Sequence, residues 1–279
     1  MTTMFTSTRP PISPPSILRA SGTIVWRNLI HIKRMPEMLL DVTVQSVMFV
    51  LLFAYVFGGS IDPPGDVLYK EYLLPGIMVQ TMIFSSAVVA MGLTNDLQKG
   101  IVDRLKSLPI SRSSVLVGRS ISSLIHSSIG IAVMGVTGLL IGWRIRNGLF
   151  DAVLAFLLLL VFGFAMIWLG IWVGSLMRTV ESVQGFMFTV MFPLTFVANT
   201  FAPPEHMPSW LRFIAEWNPV SALTQACREL WVNNGGVPVS ADAAWPLQHA
   251  VGASIVWSIV LTAIFAPLAL AAYRQRSKD

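Results

Sequence analysis

Few side chains in this 279-residue chain are suited to covalent or metal chemistry, and those few are scattered. The histidines are His31, His126, His206 and His249, and none has a second ligand at the spacing a zinc site requires. Cys227 is the single cysteine, which excludes an internal disulfide framework and any multi-cysteine metal or iron–sulfur site. The best acid–base pair, Glu205 beside His206, lies in a proline-rich turn. That is a poor platform for an enzyme acting on lipid, which needs such a pair held near one membrane interface. Neither GxxxxGKS nor GxxxxGKT occurs, and no kinase or hydrolase signature is found. No cofactor or metal is therefore expected on this chain, and any energy-driven work must draw on an ion gradient or on a separate protein.

The polar side chains that remain lie inside apolar stretches: Gln45, Gln80, Ser85, Ser86, His126, Gln184 and Asn199. Polar groups at membrane depth are costly and face other protein or a cavity. Gln45, Gln80, His126 and Asn199 are the candidates for a substrate path; interhelical hydrogen bonding that only holds the helices together is the competing role. No acidic or basic side chain is expected deep in a span, and His126 is the one titratable candidate there. This disfavours a carrier or channel driven by a proton or sodium gradient.

The elements that must position these groups are transmembrane helices. Hydrophobic residues make up 54% of the chain and charged ones 12%, against about a quarter charged in a soluble domain. Six stretches, roughly 38–57, 72–94, 117–142, 151–175, 183–202 and 248–273, are long enough to cross a bilayer. Fourteen of the 19 Lys and Arg residues fall on one side if both termini are cytoplasmic, so the net charge of +5 is mainly a topology signal and calls for no nucleic-acid partner. Residues 1–16 read as a disordered cytoplasmic tail, 37–273 as the transmembrane domain and 274–279 as a second cytoplasmic tail.

Over 17–36, Leu18, Gly22, Val25, Leu29 and Ile32 share one helical face and Thr23, Arg27, His31 and Arg34 the other, before Pro36 breaks the run. This is an amphipathic interface helix, serving either as a basic anchor on the membrane surface or as a connecting helix that also touches a cytoplasmic partner. Glycines at Gly138-x-x-x-Gly142 and Gly170-x-x-x-Gly174 form small-xxx-small pairs suited to close helix packing.

The loop 95–119 carries the most specific pattern. Asn95 or Asp96 is placed to cap a helix start and Pro109 to end it, with Leu97, Ile101, Leu105 and Leu108 forming one apolar stripe and Gly100 inside, at a bend. A short amphipathic helix with mixed charges suits a groove on another protein or the membrane surface. The stretch from Asp96 to Arg119, with KGIVDRLKSLPISRSSVLVGR, resembles the first cytoplasmic loop of type-2 ABC-exporter permeases, in particular the daunorubicin-resistance-type drug permeases. The resemblance implies a coupling helix that docks on an ATPase subunit through Gly100, Asp103, Arg104, Leu105, Leu108 and Pro109.

Residues 203–247 contain two apolar pieces too short to span, Trp210 to Trp217 and Ser221 to Val232, broken at Asn218-Pro219. They read as outer half-helices meeting at a kink, a re-entrant hairpin before the last span, and this region also resembles the family. Arg212 with Glu216, and Arg228 with Glu229, are expected to pair on the outer surface, and Trp210, Trp217 and Trp231 to anchor at the bilayer interface.

The expected fold is thus all-α and integral to the membrane, with six transmembrane helices. The resemblance implies a multi-pass permease of the bacterial plasma membrane that moves a hydrophobic drug or lipid-like substrate. Its implied partners are membrane lipids, an ABC-type ATPase that binds ATP and Mg, and a second permease copy, identical or sister. A gradient-driven secondary transporter or channel is the alternative.

Overall fold

The computed structural model describes residues 36–56, 68–100, 112–201, 204, 207–231 and 238–276, without the side chains at 36–43, 45 and 112–114. The amphipathic segment expected at 17–36, the terminal tails, Glu205, His206, Asp103, Arg104, Leu105, Leu108, Pro109 and the side chain of Gln45 lie outside the described residues. The described elements are all helical: α1 (Pro36–Val56), α2 (Tyr69–Gln98), α3 (Arg112–Leu140), α4 (Leu149–Leu176), α5 (Val180–Phe196), α6 (Ser209–Trp217), α7 (Pro219–Trp231), α8 (Trp245–Gln248) and α9 (Ala250–Arg276). Among them α2, α3, α4 and α9 are long and apolar enough to cross a membrane. Helix is the structure open to such sequences, because it satisfies every backbone polar group within the segment.

Helix α2 is the axis of the bundle: 78% of its most apolar window is buried, against 17% for α9 at the periphery. It runs parallel to α4, and the two backbones touch. A methyl group at Gly174 would fall 2.6 Å from the Ala90 carbonyl oxygen, and one at Gly170 would collide with the carbonyl of Ser86. The Thr94 hydroxyl adds a cross-helix bond to the Gly174 carbonyl at 2.9 Å. The second small-xxx-small pair therefore does the work that its spacing suggests.

Helix α3 returns antiparallel to α2, with Thr81 against Met134 and Gly138 against Leu74. Helix α5 is also antiparallel to α2, bringing Phe188 and Phe192 to Phe84 and the Asn199 carbonyl to Tyr72. Helix α9 descends beside α4 and ends with Arg276 on the carbonyls of Gly174, Ser175 and Met177. One end of the bundle thus gathers Tyr72, Asn199 and Trp231, and the other Gln98, Arg178 and Arg276.

Several sequence expectations are corrected. No helix starts at Asn95 or Asp96; α2 continues through them, and the Lys99 amide closes its last turn on the Asn95 carbonyl at 3.0 Å. Gly100 lies beyond the helix with φ +65°, a left-handed position that ends it and that glycine adopts without the Cβ penalty. Gly142 does not extend the Gly138 stripe either, because α3 stops at Leu140 and Gly142 turns the chain with φ +94°. Helix α5 ends at Phe196, short of the expected 202, and residues 197–201 fold over the end of α2.

Candidate functional site

The Tyr72 end is closed by a cluster built around Arg228. This residue does not pair with Glu229 on the surface; it is 1% exposed, and its neighbour carboxylate points elsewhere on α7, toward Gln225. Arg228 Nε donates to the Tyr72 carbonyl at 2.8 Å, and Nη2 donates to the carbonyls of Asn199 and Thr200 at 2.9 and 3.1 Å. The guanidinium carbon stands 3.5 Å from the centroid of the Tyr72 ring, a cation–π contact. The Tyr72 hydroxyl donates to the same Asn199 carbonyl at 3.0 Å, and the Asn199 amide donates to Ser221 Oγ at 3.1 Å. Asn199, a predicted path residue, thus sits within this closed joint.

The predicted kink is formed by Asn218 and Pro219. The Asn218 side chain accepts from the Val220 amide at 2.9 Å and donates to the Leu194 carbonyl at 2.7 Å, so it starts α7 and ties that helix to α5. Trp231 is no interface anchor. It is fully buried between Trp143 and Phe156, with ring centroids 5.3 and 5.0 Å away. Trp210 and Trp217 are exposed, on a face of α6 shared with Phe213 and Ile214. The opposite face of α6 is ionic: Arg212 pairs with Glu216 at 2.6 Å, as expected, and with Asp242 at 3.1 Å. The hydrogen bond to Glu216, more than that to Asp242, pushes the Arg212 guanidinium above its usual range. The Ser240 hydroxyl and then Arg212 hold the Asp242 carboxyl below the usual carboxylate range.

The same end holds Glu71 in the first turn of α2, almost fully buried and bonded to Arg146 Nη2 at 2.8 Å. The Arg146 backbone amide in turn donates to the Trp231 carbonyl at 2.9 Å, which fastens the α3–α4 link to α7.

At the opposite end the feet of the 101–111 segment are tied together. Arg119 on α3 lies across Gly92 and forms an ion pair with Asp96 on α2. Gln98 Nε2 donates to the Arg178 carbonyl at 2.9 Å, and Arg276 covers the C-terminal carbonyls of α4, where a cation is favoured.

Between the two ends, phenylalanine rings run in continuous contact. Phe49 stacks on Phe53 and Phe53 on Phe201; the chain continues through Phe196 and Phe192 to Phe188, and both Phe188 and Phe192 reach Phe84. Successive centroids are 5.0 to 6.0 Å apart. Phe192 and Phe196 remain 45% and 50% exposed, so the ladder is an open surface and not a core. Gln80 is buried on α2, and its Oε1 has no hydrogen-bond partner among the described residues. His126 is half-buried on α3. The site residues missed in the sequence are Arg228, Glu71 and the ladder. Only the ladder left a signal there, the repeat of Phe188, Phe192 and Phe196 at four-residue spacing along one helix face.

Long apolar helices packed in alternating directions make this a multi-pass helical membrane protein. Residues 19–231 match the ABC-2 type transporter family, and the chain belongs to that family as a membrane permease subunit. It is 32% identical over 258 residues to the daunorubicin resistance ABC transporter permease protein DrrB1 of Streptomyces coeruleorubidus, covering 92% of this chain and 87% of that one. It is 20% identical over 210 residues to the probable multidrug ABC transporter permease YbhR of Escherichia coli K12, covering 75% of this chain and 53% of that one. A probable doxorubicin resistance ABC transporter permease protein, DrrC of Mycobacterium tuberculosis H37Rv, is 25% identical over 189 residues, 68% of this chain and 67% of its own.

Proposed function

We propose that this chain is the membrane half of an ATP-driven exporter, moving a hydrophobic drug or lipid-like molecule out of the cell. Helices α1 and α5 complete six spans, α6 and α7 dip into the outer leaflet as a re-entrant pair, and both termini are cytoplasmic in a bacterial plasma membrane. A separate ABC-type ATPase binds ATP and Mg. A second permease copy, identical or sister, faces this one.

The observation that carries the reading is the tie between the two helix ends on either side of residues 101–111. Gly100 ends α2 in a left-handed turn, and the Asp96–Arg119 pair joins α2 to α3 there. A push on Asp103, Arg104, Leu105, Leu108 and Pro109 by an ATPase is then delivered to α2 and α3 together, and through the Gly170 and Gly174 contacts to α4. The phenylalanine ladder offers apolar, flat and uncharged surface along α1, α2 and α5 for a substrate with rings or acyl chains. Gln45, Gln80 and His126 are the candidate polar points of the path in this reading, with Asn199 at its closed end.

The test is purification of the tagged chain from its native membranes in mild detergent, with mass spectrometry of the proteins that accompany it. A near-stoichiometric ABC-type ATPase, lost when Asp103→Ala and Arg104→Ala are combined while membrane insertion is unchanged, is the expected result. Repeated absence of any ATPase, with transport that persists in ATP-depleted vesicles under an imposed ion gradient, would overturn the reading in favour of a secondary transporter.

A further inference from the structure

The joint around Arg228 has an unusual composition. A guanidinium is withdrawn from water, yet its partners among the described residues are three neutral carbonyls and one aromatic ring, with no carboxylate in an ion pair. Around it, Asn199 Oδ1, Thr200 Oγ1 and Thr224 Oγ1 are buried with no hydrogen-bond partner among the described residues. Asn199 and Thr200 are the residues whose carbonyls it holds, and Thr224 lies one turn before it on α7.

Taking a charged group out of water is costly, and neutral acceptors return only part of that cost. The joint is therefore stabilised by directional bonds in the closed arrangement and by hydration in an opened one. Water entering it would solvate the guanidinium and the three orphaned polar atoms at once. An apolar joint of the same shape has no such second minimum, because opening it exposes only hydrocarbon. The three segments that meet here are the first turn of α2, the turn beyond α5 and the half-helix α7. Helix α5 also carries four rungs of the phenylalanine ladder's run from Phe188 to Phe201, counting the turn that follows it.

We propose that Arg228 is the latch of the exit: it holds the end of α5 against α2 and α7, and export requires it to release the Asn199–Thr200 turn. The proposal rests on the exporter reading and adds to it a positioning residue that acts through the carbonyls it grips. Arg228→Met removes the cost of burying a charge but leaves the carbonyls of Tyr72, Asn199 and Thr200 without this donor, two opposing effects on stability. Without the guanidinium to hydrate, opening the joint gains less, so Arg228→Met should hold the exit shut. Arg228→Lys keeps a charge but lacks the planar fork that holds carbonyls on two segments at once, so the joint should gape at rest.

Cys227 reports on the joint directly, being the only cysteine in the chain, fully buried and next to the latch. The experiment applies a membrane-impermeant maleimide to cells, energised or depleted of ATP, that express the full chain together with the ATPase that co-purifies with it. Wild-type Cys227 should label about tenfold faster in energised cells, the change expected when a minor open state becomes a major one. Arg228→Met should label at the depleted-cell rate under both conditions, among the molecules that remain folded after purification. Arg228→Lys should label faster than wild type even without ATP. The latch is overturned if Arg228→Met labels like wild type in both conditions, or if it loses abundance and melts lower while Arg228→Lys labels at the resting rate, the signature of a purely structural rivet. A wild type that shows no ATP dependence, with Arg228→Lys still raising the resting rate, instead counts against the exporter reading and leaves the joint's latch character standing.

Discussion

Between α2 and α4 the backbones touch, whereas between α1, α2 and α5 the contact is made by aromatic rings that remain half open to their surroundings. The first seam has no side chain to rearrange at Gly170 and Gly174, so the two helices must move as one body. The second has rings that slide and re-stack at small cost, since offset and tilted geometries differ little in energy. The interplanar angles along the ladder run from 7° to 81°, which is what an adaptable surface looks like. A transporter needs both: a frame that carries force from one end to the other, and a wall that gives way to a passenger.

The contrast is broken most severely by placing a branched side chain in the seam. Gly170→Leu puts its Cβ into the Ser86 carbonyl, a backbone atom that cannot step aside. Overpacking of this kind should cost about 3 kcal/mol or more and remove most folded protein. Size-exclusion profiles of detergent-solubilised protein check this, and a monodisperse variant of wild-type yield would show the seam to be looser than described.

A smaller effect is expected at the end of the same frame. Glu71→Gln leaves Arg146 without its ion pair, but that arginine is 49% exposed and its charge is partly screened. We expect a loss of about 1–2 kcal/mol, seen as a lower thermal midpoint with transport per folded molecule unchanged.

The smallest effect on stability, and the one that sharpens the comparison, comes from the ladder. Phe192→Ala removes a ring that stacks on Phe196 and tilts against Phe84 and Phe188, on a surface that is already open. Folding should be nearly unaffected. Affinity for a ring-bearing substrate should fall by about 0.5–1.5 kcal/mol, a loss of two- to tenfold, measured by fluorescence quenching of an anthracycline by purified protein. Equal binding by both proteins would remove the ladder from the substrate path.

Hydropathy alone made the four long apolar helices legible, because a bilayer imposes one demand on every residue of a span and the sequence answers it locally. The break at Asn218-Pro219 and the pairing of Arg212 with Glu216 were equally local, set by proline's missing amide and by helical spacing of four. The ends of α2 and α3 were less so. A capping residue such as Asn95 is also compatible with a helix interior, and only the run of backbone bonds decides between the two.

What the sequence determined by itself is the class: a chain built for a membrane, helical throughout its described residues, with four helices long and apolar enough to span. What only the tertiary structure decided is where its charges go. Arg228 read as a surface partner of Glu229, and Glu71, one residue outside the expected span 72–94, drew no reading, because hydropathy counts a charge as belonging to water. Their burial depends on acceptors and donors supplied from far along the chain, the Tyr72 carbonyl 156 residues from Arg228 and the Arg146 guanidinium 75 residues from Glu71. No local pattern encodes such a partner, since whether a buried charge is tolerated is settled by what surrounds it after packing.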